Sequence, residues 1–243
     1  MLMAAASIAV FSTTAQADET LRYDWHLRGV LSWVAGLKFP TSGNGLLQTS
    51  SADGGVHSQL LVKSDGKDYI SYQSVIDPAI LRTLTSATGY SFGSKSEHKE
   101  TTYDYAADVA KVAERGQPQT KTRPLPVDIA RDVLTTIAYI RTNAASITGP
   151  VTTDVFSDGK PYRVIIRPDG MKSAEFDGRN VTARAFSIVA APGSQKKFPG
   201  VSVWLSDDAQ RLPLRILLDQ QFASLELRLR SVDPAQLALL GVR

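Results

Sequence analysis

The chain of 243 residues contains no cysteine. That excludes a disulfide framework, a thiol nucleophile, a thiolate zinc site and a lipid-modified cysteine. Histidine is nearly as scarce. His26, His57 and His98 stand far apart, and none belongs to an H-x-H or H-x-x-x-H pair; no metal and no cofactor are expected. Also missing is an excess of one charge. The net charge is +3 with both signs interspersed, and the densest basic spots are Lys196-Lys197 and the Arg228/Arg230 pair. Nucleic-acid binders gather Lys and Arg on one face, so no nucleic-acid partner is expected. After the first residues, no stretch is apolar enough to span a bilayer as a helix, which takes about 20 residues, and the protein is not expected to be transmembrane.

What is present begins with an address. Met1 to Ala17 carries no charge, with an apolar run Leu2 to Phe11 ahead of Ala15-Gln16-Ala17. A signal peptidase reads that small-x-small pattern. The segment lacks the Lys or Arg that normally opens a signal peptide, so either translation is expected to start upstream or the N-terminus has been trimmed. We read residues 1–17 as a cleaved signal peptide, residues 18–243 as a single β-rich domain, and the location as periplasmic. An exported domain without disulfides depends on its core alone.

Period-two alternation dominates the mature chain, the pattern of strands with one buried face. Leu21, Tyr23, Trp25 and Leu27 share one parity, with Arg22, Asp24, His26 and Arg28 on the other. A second run covers Val30 to Phe39, followed by the turn signal Thr41 to Gly45. Strands are expected at 57–63 and 68–74, at 151–157 and 162–167, at 172–177 and 181–189, at 202–205 and 212–218, and at 224–229. Turn residues such as Asp158-Gly159-Lys160 separate them. Thr101 to Arg115 has helical alanines but alternating tyrosines, and is read as strands. Asp77-Pro78 is read as the cap of a short helix through Leu84. The best helix spans 127–142, with Asp128 in its first turn and Val127, Ala130, Val133, Leu134, Ile137 and Ala138 on one face. The fold class is therefore mainly β: an antiparallel meander curving into a barrel or half-barrel, with one principal α-helix packed on it.

The segment Phe198 to Ile216 reads FPGVSVWLSDDAQRLPLRI. Its strand ending Val203-Trp204-Leu205, its turn Ser206-Asp207-Asp208 and the following Arg211-Leu212-Pro213-Leu214-Arg215 resemble a hallmark of the bacterial domain-of-unknown-function family 3108. The opening Leu21-Arg22-Tyr23, the central helix and the Phe156 to Lys160 hairpin extend the resemblance over roughly residues 20 to 230. It implies an exported, β-rich envelope protein and supplies no catalytic residue. The turn also has a purely structural reading. Asp side chains satisfy local N–H groups, Trp204 and Leu214 face the core from paired strands, and Pro213 marks an edge or a bulge.

One catalytic pattern occurs. Gly89-Tyr90-Ser91-Phe92-Gly93 fits G-x-S-x-G, but no apolar helix follows, and the only later histidine, His98, is seven residues on. A hydrolase elbow needs the helix, and its acid and histidine come later in the chain. Asp207-Asp208 lacks the further oxygen ligands of a calcium loop. The glycines at 43–45 and 53–55 lack a phosphate-loop lysine. No enzyme is expected. The preferred reading is a binding or carrier protein holding a hydrophobic, lipid-like ligand between the sheet and the covering helix. Trp25, Trp33, Tyr72, Val133, Ile137 and Trp204 are the candidate ligand-binding residues. The alternative is an envelope structural or interaction module that docks a protein partner through a sheet edge or turn.

Overall fold

The computed structural model describes residues 18–29, 40–64, 66–125, 128–157, 159–194, 198–219 and 224–233. Residues 1–17, read above as a signal peptide, the run Val30 to Phe39 with Trp33, Val127 and Lys196-Lys197 lie outside the described residues.

Eight strands precede the helix: β1 Glu19–Arg28, β2 Ser42–Ala52, β3 Gly55–Lys63, β4 Tyr69–Asp77, β5 Arg82–Phe92, β6 Lys95–Asp104, β7 Val109–Glu114 and β8 Lys121–Pro124. Helix α1 is Val133–Asn143, and six strands follow: β9 Val151–Ser157, β10 Lys160–Phe176, β11 Arg179–Ala190, β12 Val201–Ser206, β13 Pro213–Asp219 and β14 Ser224–Val232. They form one antiparallel sheet in the order β8-β7-β6-β5-β4-β3-β2-β1-β14-β13-β12-β11-β10-β9. Each half is a meander, and the pairing of β1 with β14 welds them, setting Trp25 opposite Leu227 and Leu27 opposite Leu225. The ladder stays open between β8 and β9.

The sheet curls because its inner parity is apolar along most strands. Leu21, Tyr23 and Trp25 are buried, as are Leu225, Leu227 and Leu229 of β14 and Leu214, Ile216 and Leu218 of β13. Gly43 of β2 lies opposite Trp25. A methyl group there would sit 2.7 Å from the indole nitrogen, so glycine makes room for the ring, whose N–H donates to the Lys63 carbonyl at 2.7 Å. The gap at the open edge is crossed by the segment before α1. Thr83 N–H donates to the Ala130 carbonyl at 2.9 Å and Phe156 N–H to the Arg131 carbonyl at 2.8 Å, so this segment touches β5 on one side and β9 on the other.

Helix α1 starts six residues later than the sequence pattern indicates. Its N-cap is Asp132, whose carboxylate accepts from Thr135 N–H at 2.7 Å. Asp128 to Asp132 are not helical; Arg131 makes a parallel bridge to Val155. Leu134, Ile137 and Ile140 sink into the core with the inner residues of β1, β13 and β14, so the helix packs on the inner face of the curled sheet. Among the described residues no helix is long and apolar enough to cross a membrane.

The expected helix after Asp77 is instead a tight turn. Ala79 N–H donates to the Asp77 carboxylate and Leu81 N–H to its carbonyl. Leu81 then takes a positive φ of 53°, which ends any helical path and starts β5. Residues 162–167 and 172–177, read as two strands, are one strand, β10, with an irregularity between Pro168 and Met171 where Gly170 adopts a φ of 77°.

The β12–β13 turn clamps the helix. Asp208 Oδ1 accepts from Ser206 Oγ at 2.8 Å and from the N–H groups of Gln210 and Arg211 at 3.0 Å each. That turn aims Arg211, whose Nη1 donates to the carbonyls of Arg141 at 3.0 Å and Thr142 at 2.6 Å. Both belong to the last turn of α1, where carbonyls lack intrahelical partners and a cation suits the dipole. Arg141 itself grips Glu19 at 2.5 and 2.7 Å. The substitution R211A is expected to cost about 1 kcal/mol, the typical net worth of such bonds, read as a fall in thermal midpoint of a few degrees.

Candidate functional site

Alternation continues through β4, β5 and β6, but there the inner parity turns polar. In register across these strands stand Ile70, Tyr90 and Glu97, then Tyr72, Thr88 and Lys99, then Ser74, Ser86 and Thr101. A polar wall cannot close against the leucines of β13 and β14 as apolar walls close on each other. Between them lies a cavity of about 750 Å³, within the size range of small-molecule sites. Its apolar side includes Trp25, Leu27, Leu218, Leu225 and Tyr162; its other side includes Tyr72, Thr88, Tyr90, Glu97 and Lys99. Phe92 stacks on Tyr90 with ring centres 6.1 Å apart and also lines the space.

Glu97 and Lys99 form an ion pair on the cavity wall, and the Tyr90 hydroxyl donates to the second Glu97 oxygen at 3.2 Å. Burial pushes the Tyr72 phenol above its ordinary value of 10.0, so it stays protonated at neutral pH. Lys99 and Tyr72 also border a narrow crevice that runs on toward Asp132 and Val133, with room of about 20 Å³, roughly one water. Beyond it Asp132 is buried, and desolvation raises its carboxyl above the ordinary value even though Ser74 and Thr135 donate to it. A second hollow, of about 610 Å³, is lined mostly by hydroxyl and amide side chains such as Gln48, Ser58, Gln73 and Thr102.

Of the residues singled out in the sequence, Trp25 and Tyr72 line the large cavity. Val133 borders the crevice, and Ile137, 4% exposed, packs within the core. Trp33 lies outside the described residues. Trp204 is on the opposite, outer face: Val203 and Leu205 on either side of it point inward, and the Arg215 guanidinium lies 4.3 Å from the center of its ring. The expectation that Trp204 and Leu214 both face the core is corrected accordingly; Leu214 does, Trp204 does not. Pro213 sits at the register shift between Trp204 and Leu205, so its strand is bulged there and is not an edge.

The other chemical motifs take ordinary places. Ser91 stands in β5 opposite Ser96, in a hairpin with no helix after it. His98 pairs with Glu100 at 3.0 Å and His26 with Glu226 at 2.5 Å. Among the described residues no cluster of three or more His, Asp or Glu side chains is placed to hold a metal. Sequence reasoning missed Ile70, Tyr90, Phe92 and Lys99. Their signal was the parity of Tyr72 carried across two hairpins.

Residues 37–230 match the family described as "Protein of unknown function (DUF3108)". In solved structures, the chain is similar to a β-barrel-like protein of another domain of unknown function, DUF1849, from Brucella abortus. The TM-score is 0.60 at 11% identity, over 89% of this chain and 97% of that one. That likeness shows a shared β-barrel-like fold. The lipoprotein LppX from Mycobacterium tuberculosis aligns over 88% of this chain and 86% of its own at 10% identity, with a TM-score of 0.28, too weak a likeness to bear on function. No curated protein matches significantly.

Proposed function

The chain belongs to the DUF3108 family of proteins of unknown function, and from that premise we propose a non-catalytic binding protein that holds a hydrophobic, lipid-like molecule in the cavity between β4–β6 and β13–β14. One observation carries the reading: a space of about 750 Å³ with a wall of Trp25, Leu27, Leu218 and Leu225. Closing such a surface over an alkyl chain is worth about 0.8 kcal/mol per buried methylene, enough for tight binding of a long chain. The absence of catalysis is supported by the placement of Ser91 and by Glu97 and Lys99 neutralising each other on the wall. A periplasmic location is supported by the signal-like residues 1–17.

Native mass spectrometry of the mature protein, followed by denaturing extraction, tests the reading. The expected result is an apolar adduct, or uptake of an added long-chain amphiphile. Ile70 faces the cavity from β4, and I70W is expected to fill part of it and weaken uptake by about tenfold or more, because overfilling forces its occupants and neighbours apart. A wild-type protein that takes up no long-chain compound rejects the proposal.

A further inference from the structure

The cavity has two unlike sides, and the polar one carries a row of hydrogen-bond donors. Tyr72, Thr88 and Lys99 stand directly opposite one another across three neighbouring strands. Inner-face residues so paired hold their Cβ atoms about 5 Å apart. The row therefore presents two hydroxyls and an ammonium side by side. Burial keeps the phenol of Tyr72 protonated, and it makes no hydrogen bond among the described residues. Lys99 is the only ammonium among the described cavity residues, beside the carboxylates of Glu97 and Asp68, the latter held by Gly93 N–H, and it borders the inner crevice as well. Its partner Glu97 lies one row away and engages both its oxygens, with Lys99 and Tyr90. A row of donors in a partly dry wall attracts acceptor oxygens, most strongly charged ones.

The geometry points to an anionic headgroup site. The Tyr72–Thr88–Lys99 row takes the carboxylate or phosphate oxygens of an amphiphile whose chain lies along Trp25, Leu27, Leu218 and Leu225. This rests on the binding function proposed above and names the class of ligand.

The test compares a long-chain fatty acid, the alkyl phosphate of equal length and the methyl ester of the acid, each titrated into the mature protein at neutral pH. The expected result is that at least one anion binds about tenfold more tightly than the ester, the worth of one good charge-assisted hydrogen bond. Whichever anion binds more tightly identifies carboxylate or phosphate as the natural head. In K99M the advantage of the anion over the ester is expected to fall to about twofold or less. In E97Q, where Lys99 loses its competing carboxylate, it is expected to grow. Equal binding of anions and ester by the wild type overturns the headgroup site and leaves the apolar cavity standing. Failure of all three to bind overturns both.

Discussion

Replacing Glu226 by alanine is expected to cost about 3 kcal/mol of folding stability, the low end of the range for breaking a buried ion pair. Glu226 sits on the outer face of β14 with its side chain fully buried, beneath a group of cations. Arg215 Nε lies 2.5 Å from one carboxylate oxygen and His26 Nε2 2.5 Å from the other, with Arg28 and Arg228 at 3.4 Å. Arg215 in turn lies over Trp204. Removing the carboxylate leaves three guanidiniums facing one another with nothing between them. Arg28 and Arg228 are about half exposed and can turn to water, which holds the cost to the low end. A shift of about 3 kcal/mol corresponds to a fall of about 10 °C in thermal midpoint for a domain of this size. The double variant with Leu at 226 and Met at 215 is expected to lose less than E226A, since most of the damage comes from orphaned charge. If E226A unfolds at the wild-type temperature, the cluster contributes nothing.

The same site sets a pH dependence. Burial pushes the Glu226 carboxyl up, but Arg215, Arg228 and Arg28 outweigh it and hold the group below its ordinary 4.5. A lowered folded value means the stabilisation is complete above pH 4.5 and is lost as pH falls through the folded value. The acid limb of a stability curve is therefore expected to be shallower in E226Q than in the wild type.

This cluster shows what the sequence can and cannot say. Glu226 alternates with Leu225, Leu227 and Leu229, so its outward direction was legible from the leucines that hold the other parity. Its burial was not, because Arg28, Arg215 and His26 reach it from strands nearly two hundred residues away or across another hairpin. Trp204 failed for a related reason. Alternation divides a strand into two faces without saying which one is inside, and the large aromatic was assigned inward although its neighbours Val203 and Leu205 hold that face. The hairpins were readable wherever a turn signal stood between alternating runs, as at β3–β4 and β9–β10. After Asp77 the local signal of a helix start and that of a turn are the same, a carboxylate accepting from a nearby N–H, and only the positive φ of Leu81 decides. The cavity was half legible. Trp25 and Tyr72 belong to strands whose inner parity is legible, but the leucines Leu218 and Leu225 that join Trp25 in the apolar wall do so through the β1–β14 pairing, which no local pattern announces.

Asp132 is the second position where a large effect is expected, and its pH signature has the opposite sign. The sequence put a helical carboxylate at Asp128; the fold uses Asp132, buried at the mouth of α1, accepting from Thr135 N–H and Ser74 Oγ. Its own N–H donates to Thr83 Oγ1 at 2.9 Å, and Thr83 meets Thr135 at 2.8 Å. D132A removes the cap and strands these buried donors, for an expected loss of about 2–3 kcal/mol. D132N keeps an acceptor for Thr135 N–H and is expected to lose less than about 1 kcal/mol. Burial raises the Asp132 carboxyl above its ordinary 3.8, so the folded state takes up this proton more readily than the unfolded chain. Its favourable contribution is complete below pH 3.8 and is lost as pH rises through the folded value. Asp132 therefore offsets part of the acid loss from Glu226 in the wild type. With the amide in place that offset is gone, and the stability of D132N is expected to fall more steeply than that of the wild type as the pH falls from the folded value of Asp132 toward 3.8, while E226Q falls less steeply. Urea titrations of the three proteins at several acidic pH values measure both slopes. A D132N curve parallel to the wild type removes Asp132 from the account, and a D132N loss as large as that of D132A means its charge, rather than its geometry as a cap, holds the start of the helix.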